Sequence, residues 1–307
     1  PEARRQGLVE RLLLASLEHM RARGQVVSML YPFKAAFYRR YGWEVVAFLD
    51  QAKLNAADLR AFARGRREAN PLRRMADPRA RWRELEPDYE RYAAGFNGMV
   101  HRDEDRWTER LLAPGREAVA WPGHGYVVYS VKGAEAKVHE LVALDLEAKR
   151  EILAHLGQLD SMSPTVALDL VPGFDLHWLE GAPSPTVTRA PTFMARVVDL
   201  PALVPAYRFR PGGAESFDLR VTDDAAPWNA GDWTLSLDED GRGRLQPAAA
   251  SATPELTVPI QALSAALFGG AALERLAAAG RVEAAPEAAA RLDARLDQRP
   301  PLCLDFF

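Results

Sequence analysis

Residues 1–9, Pro1-Glu2-Ala3-Arg4-Arg5-Gln6-Gly7-Leu8-Val9, run without a break into an apolar helical pattern that leads on to Phe37-Tyr38-Arg39-Arg40-Tyr41-Gly42-Trp43. Between Gly7 and about Arg23, Leu8, Leu12, Leu13, Ala15, Leu17 and Met20 recur at helical spacing, and Gly24 stands where a left-handed C-cap is wanted. Residues 25–30 then read as a short buried strand, 32–40 as a second helix and 44–48 as a second strand. Helix, strand, helix, strand is the alternation of an α/β fold. A basic turn with a glycine at the start of a helix suits an anion, because first-turn N–H groups lack intrahelical partners and carry the positive end of the dipole. Arg4 and Arg5 add charge beside it. The chain opens on Pro1 rather than Met, and such a turn ordinarily follows a strand that aims it, so further strands upstream of Pro1 are expected.

Beyond residue 50 the pattern predicts a second unit. Residues 58–78 are crowded with arginine (Arg60, Arg64, Arg66, Arg67, Arg73, Arg74) and read as a connection. These side chains form either a solvated face or a local basic patch. Helices are expected over residues 79–96, 103–112 and 146–158, and strands over 118–121, 125–131, 137–145, 165–170 and 194–199. After residue 199 the character changes again. A helix over 200–207 precedes alternating strands at 216–222, 228–237 and 243–247, the last two joined at Asp238-Glu239-Asp240-Gly241. Alanine- and leucine-rich helices follow at 260–268, 271–279 and 286–298; Pro300-Pro301 ends the helical run, leaving Leu302-Cys303-Leu304-Asp305-Phe306-Phe307 extended.

Composition bounds the function. The 307 residues are 48% hydrophobic and 26% charged, a globular balance with room for two or three domains, and the net charge of -3 argues against a nucleic-acid-coating surface. A single cysteine, Cys303, excludes an internal disulfide framework and fits a reducing, cytoplasmic setting. No apolar run is long enough for a membrane span, and the six histidines lack ligand spacing, so no catalytic metal is expected.

Two further features carry chemistry. Tyr38, in a helix, reads as a packing residue or as a phenolic acid, since a phenol of pKa about 10 is well matched to protonating a thiolate. The terminal residues Leu302, Leu304, Phe306 and Phe307 are too apolar to favour water. If Phe307 is buried, its α-carboxylate, pKa about 3.5 in water, is carried inward, where desolvation or Asp305 can raise it toward a useful base. Asp305 reads either as a cation-attracting group or as a solvated surface acid.

Arg4-x-x-Gly7-x-Val9 opening a helix, the strand after it, and Tyr38-x-x-Tyr41-Gly42 resemble the second half of a GNAT acetyltransferase domain. That family's Gln/Arg-x-x-Gly-x-Gly/Ala loop cradles the pyrophosphate of acetyl-CoA. Val9 replaces the small third residue and leaves the backbone N–H groups in place. With the arginine-rich link, a second unit of like order, Pro227-Trp228-Asn229-x-Gly231-x-Trp233 and Leu263-Ser264-Ala265-Ala266-Leu267-Phe268-Gly269-Gly270, the whole chain resembles the Eis (enhanced intracellular survival) acetyltransferases.

The resemblance implies mixed α/β and α+β architecture: tandem GNAT-like units followed by a sterol-carrier-protein-like α+β domain. The divisions are residues 1–50 with the acetyl-CoA loop, 51–196 without a cofactor motif, and 197–307 ending in the catalytic carboxylate. It implies acetyl-CoA as cosubstrate, held by Arg4, Arg5, Gln6, Gly7, Leu8 and Val9, with Tyr38 as general acid, Tyr41 as a packing aromatic, and the carboxylate of Phe307 as base. The acceptor is an amine on a polyamine, an aminoglycoside-like molecule or a lysine, and the assembly is a homo-oligomer, a hexamer by resemblance. No Arg-x-x-Gly-x-Gly loop occurs between Asp145 and Asp160, so the second unit is expected to serve as a wall or interface. Two other functions compete: a lipid or acyl-chain carrier with a tunnel lined by residues 256–276, and a non-catalytic acyl-CoA sensor.

Overall fold

The computed structural model describes residues 7–63, 70–174, 176, 179 and 185–306. Arg4, Arg5, Gln6, Arg64, Arg66, Arg67 and Phe307 therefore lie outside the described residues. The chain folds as two compact units, one from the residues before Phe48 together with Thr192–Pro301, the other from Phe48–Pro191 with Leu302–Phe306.

The first unit begins with helix α1 (Leu8–Ala22), which ends as its sequence predicts, with Gly24 left-handed at φ 71°. Strand β1 (Val27–Leu30), helix α2 (Ala35–Arg39) and strand β2 (Glu44–Val45) follow. The apolar run 44–48, expected as one strand, is broken: β2 stays in the first unit while strand β3 (Phe48–Asn55) enters the sheet of the second. Hydrophobicity along the chain is the same on both sides of the break, so it carries no sign of which sheet each half joins.

In the second unit β3 leads into a short helix α3 (Ala56–Leu59), capped by the Asn55 side chain on the Ala57 N–H. Among the arginines of the link, Arg60 pairs with Asp160 at 2.9 Å and Arg74, in strand β4 (Arg73–Arg74), with Glu117 at 3.1 Å. A continuous helix over 79–96 does not form. A 3₁₀ turn at Trp82–Glu84 gives way to α4 (Glu86–Ala93), because Pro87 has no N–H and fits only the first turn of a helix. Residues 106–111 are a single π-helical turn rather than an α-helix.

Strands β5 (Glu117–Trp121), β6 (Gly125–Lys132) and β7 (Glu135–Ala143) form an antiparallel meander. Helix α5 (Leu146–Gly157) crosses over to β8 (Thr165–Leu170), parallel to β7 at Glu135–Lys137, and buries Ile152, Leu153 and Leu156 against Val127, Val166 and Leu168. Strand β9 (Thr186–Pro191), not foreseen, completes a seven-stranded sheet in the order β4-β5-β6-β7-β8-β3-β9.

The chain then returns to the first unit. Strand β10 (Met194–Val197) inserts between β1 and β2, antiparallel to both, with Leu30 opposite Met194 and Glu44 opposite Ala195. The first compact unit thus joins strands distant in the chain. Helix α6 (Leu200–Ala206), capped by Asp199, leads to β11 (Glu215–Thr222), β12 (Gly231–Leu237) and β13 (Gly243–Pro247), in which the β12–β13 hairpin turns at Gly241, φ 80°.

Residues 256–259, counted with the apolar helices in the sequence, are instead strand β14 (Leu256–Pro259), parallel to β11. Pro259 caps helix α7 (Ile260–Leu267) and so fixes where strand becomes helix. Helix α8 (Leu273–Ala278), strand β15 (Glu283–Ala284) and helix α9 (Pro286–Arg295) complete this part. The α7 side chains Ile260, Leu263, Ala266 and Leu267 belong to the same buried cluster as Phe217, Leu235 and Leu292, each large one worth about 1.5–3 kcal/mol of burial. Among the described residues no helix is long and apolar enough to cross a membrane.

Candidate active site

Gly7 is the N-cap of α1 and adopts φ 71°, ψ 9°, a left-handed conformation that costs glycine nothing. No side chain caps the helix among the described residues, and Leu8, Val9 and Glu10 are exposed. The first-turn N–H groups are thus left to a solvent-side anion at the positive end of a 15-residue helix. Val9 does not wedge the helix against the sheet, since its side chain is 51% exposed. Gly7, Leu8 and Val9 fit a pyrophosphate cradle.

Tyr38 sits in the last turn of α2, and its carbonyl accepts the N–H groups of Tyr41 at 2.9 Å and Trp43 at 3.3 Å, closing the chain into a turn at Gly42. Its ring meets Phe33 and Phe37 edge-on at 5.3 and 5.2 Å between centroids. Among the described residues its hydroxyl has no hydrogen-bond partner in the structure. The phenol is partly buried, held by its backbone and ring, and free at the oxygen. Tyr41, buried beside Trp43 and Leu17, is the packing aromatic of the pair.

Two ionic clusters that the sequence did not single out, one at Glu44 and one at Arg196, flank this turn. Arg39 donates bidentately to Glu44 at 2.7 and 2.6 Å, and Arg281 donates to the same carboxylate at 3.0 Å. Arg196, on β10 and wholly buried, donates to the Tyr41 carbonyl and to both oxygens of Asp223 at 3.0 and 2.7 Å. A signal for it existed: an arginine inside Met194-Ala195-Arg196-Val197-Val198 has to be paired or it would not be buried.

The Pro227-Trp228-Asn229 motif belongs to the same network. Asn229 donates to Asp223 at 2.9 Å and to the Val198 carbonyl at 3.1 Å, and accepts the Leu200 N–H at 2.8 Å. Trp228 donates to Val198 at 2.8 Å. In the other motif, Ser264 accepts the Val197 N–H at 2.9 Å, and Gly270 packs so closely on Val46 that a Cβ there would lie 2.7 Å from the Val46 Cα. The first motif therefore braces Asp223, the partner of Arg196, and the second packs against Val197 and Val46.

The Glu44 carboxyl would be raised by burial, but hydrogen bonds from Arg39, the Val45 N–H and Arg281 outweigh this and hold it below its usual range. A folded-state pKa below the unfolded value of about 4.3 stabilises the fold above that pH, and the stabilisation is lost as pH falls through the folded value. Thermal denaturation between about pH 6 and pH 3.5 is expected to show a smaller acid-induced fall in Tm for Glu44→Gln than for the unsubstituted chain. Equal falls would mean that Glu44 is not ionised in a stabilising pair.

The equivalent helix of the second unit is closed to an anion. Asp145 caps α5, its carboxylate accepting the Ala148 N–H at 2.7 Å and facing His124 Nδ1 at 2.7 Å, so a negative group of the chain occupies the place a phosphate would take.

The chain end is only partly as expected. Leu302 and Cys303 are buried and Leu304 packs against the core of the second unit, but Phe306 is 69% exposed. Asp305 is neither a free cation-attracting group nor a solvated acid: it is buried and receives Arg102 Nε on both oxygens at 3.0 Å. Burial pushes the Cys303 thiol up to about 11, which makes it inert.

Known proteins give the same order of domains. Residues 1–46 and 98–197 each match an acetyltransferase (GNAT) domain family, and 200–304 the sterol carrier protein domain family. An uncharacterized N-acetyltransferase of Streptomyces griseus is 27% identical over all of this chain and 79% of its own length. Eis1 from Mycobacterium abscessus superposes with a TM-score of 0.79 at 26% identity, covering all of this chain and 80% of that one. A GCN5-related N-acetyltransferase from Kribbella flavida is 31% identical, with a TM-score of 0.81, over all of this chain and 77% of its own. With two GNAT matches ahead of a sterol-carrier match and an open glycine-capped helix in the first of them, this chain belongs to the GCN5-related N-acetyltransferases and is an Eis-like N-acetyltransferase.

Proposed function

We propose that this chain transfers the acetyl group of acetyl-CoA directly to an amine of a polyamine, an aminoglycoside-like molecule or a lysine. Residues 4–9 cradle the cosubstrate, Tyr38 is the acid and the α-carboxylate of Phe307 is the base. The observation that supports it most is the occurrence, in one unit, of a glycine-led helix start without a side-chain cap and a tyrosine whose hydroxyl has no hydrogen-bond partner, both among the described residues.

An amine of pKa about 10 is almost wholly protonated at neutral pH, so a base must take its proton before the nitrogen lone pair can attack. The amine nitrogen bonds to the acetyl carbonyl carbon, the carbon–sulfur bond breaks, and the departing thiolate takes the Tyr38 proton. The ammonium gives its first proton to the terminal carboxylate before the attack; the nitrogen sheds a second as the tetrahedral adduct collapses, equivalent to the proton that restores Tyr38 from phenolate to phenol, so amide, thiol and one released proton balance the transfer. The apolar helix α7, packed as core, weighs against a lipid tunnel.

Tyr38→Phe keeps the ring and its contacts while removing the proton. It is expected to lower kcat by about a hundredfold at unchanged KM for acetyl-CoA, in steady-state assays of coenzyme A release. Turnover equal to that of the unsubstituted chain would discard the acid role.

A further inference from the structure

One large apolar side chain of the first unit stands in solvent beside Tyr38. Phe33 is 72% exposed, more than any other aromatic ring among the described residues. Its ring lies 5.3 Å from the rings of both Phe37 and Tyr38, tilted at 38° to the first and edge-on at 67° to the second. Phe37 in turn lies 5.5 Å from Tyr41, which is buried. The rings thus run outward from the core, and Phe33 is the last of them.

This outer ring is held on two sides. Edge-on and tilted pairs are favoured geometries for aromatic side chains, so the inner rings fix the outer one. The backbone adds to this: Pro32 fixes its own φ just before Phe33, and Lys34 just after it is extended, at φ -156° and ψ 108°. The Lys34 carbonyl then accepts the Phe37 N–H at 3.0 Å as α2 begins. A lone exposed apolar side chain is common and signals nothing by itself. Phe33 differs in being anchored along its inner edge, bare on its outer face, and packed on the proposed acid.

We propose that the exposed face of Phe33 is the wall against which the acyl group of the cosubstrate rests, and that it restricts the transferred group to acetyl. This rests on Tyr38 being the acid. The Tyr38 proton goes to the thioester sulfur, and the acyl carbon is bonded to that sulfur, so a ring packed on Tyr38 borders the acyl group. A methyl group gains from apolar surroundings and brings no polar atom that needs a partner. A longer acyl chain meets a ring that its neighbours keep from yielding, and overpacking is then its cost. Discrimination by one methylene in an apolar site runs to about 10–200-fold.

The test compares kcat/KM for acetyl-, propionyl- and butyryl-CoA in the unsubstituted chain, Phe33→Ala and Phe33→Leu, with spermine as acceptor and coenzyme A release as readout. The unsubstituted chain is expected to favour acetyl-CoA over butyryl-CoA by about tenfold or more. Phe33→Ala should raise the butyryl-to-acetyl ratio by about tenfold or more, and Phe33→Leu, which keeps most of the bulk, by less. A role confined to holding Tyr38 would lower turnover with all three cosubstrates alike and leave the ratio unchanged, which overturns the wall. A change confined to KM for spermine overturns it too, and assigns the ring to the acceptor ammonium instead.

Tyr38→Phe, assayed in parallel, separates this inference from the reading beneath it. If Tyr38→Phe is slow with every cosubstrate while Phe33→Ala keeps the original ratio, the acid role stands and the wall falls. If Tyr38→Phe turns over as the unsubstituted chain does, the acid role falls and the placement of the acyl group at Phe33 falls with it. No release from any of the three cosubstrates overturns both.

Discussion

A chain lengthened by a single glycine after Phe307 is expected to lose turnover by a factor of about a hundred or more while binding acetyl-CoA as before. The physical reason is that the α-carboxylate exists only at the terminus. One added residue turns it into a neutral amide, which accepts hydrogen bonds but takes no proton at neutral pH, and moves the new carboxylate about 3.6 Å along the chain. General bases contribute about 10²–10⁴-fold, and reacting groups misplaced by about 1 Å lose much of their rate. The proposed cosubstrate loop at Gly7 is at the opposite end of the sequence and is unchanged, so KM for acetyl-CoA should stay put while kcat collapses. A kcat within error of the unextended chain would remove Phe307 from the mechanism.

The largest expected loss of stability comes from Arg196→Met. Asp223 would keep its hydrogen bonds from Asn229 and the Ala226 N–H, at 2.9 and 3.0 Å, but would be left as a buried charge without its cation. Breaking such a pair from one side costs about 3–5 kcal/mol, and the Tyr41 carbonyl would lose its donor as well. Replacing both partners with apolar residues, Arg196→Met with Asp223→Leu, should recover a large part of the loss, because the pair's mutual attraction mainly offsets its own desolvation. Denaturant unfolding of the three variants would show this; a loss below about 1 kcal/mol for the single change would place Arg196 among weak, solvated pairs.

The same site explains Gly42. Its φ of 90° is one a residue with a Cβ adopts only under strain, and a Cβ there would run into the Arg196 guanidinium. Gly42→Ala should therefore resemble Arg196→Met in direction.

What was legible in the sequence was local. Helix α1, its left-handed stop at Gly24 and the β12–β13 hairpin follow from period and turn chemistry within a few residues. The insertion of β10 between β1 and β2, strands some 150 residues earlier, is not encoded in any window. The divided fate of residues 44–48 was hidden for the same reason. Misread helices had visible causes: Pro87 restarts one and Pro259 delays another.

In the candidate site, Gly7 and Tyr38 could be singled out because backbone permissiveness and phenol chemistry belong to a residue type at a spacing. Arg196 and Arg102 were missed because their importance comes from partners distant in sequence, and Glu44 because its second partner, Arg281, is equally remote. A charge inside an apolar run is the available clue, and Glu140 within Val138–Val142 shows it as plainly as Arg196 does. Asp305 looked like a surface acid because its partner lies 203 positions away.

Amine acetylation by this chain is tested most directly by coenzyme A release. With acetyl-CoA and a panel of polyamines, aminoglycosides and lysine peptides, release should depend on the amine and match, mole for mole, the acetylated product seen by mass spectrometry. Tight binding of acetyl-CoA without amine-dependent release from any of them would contradict transfer and leave a protein that only senses acyl-CoA.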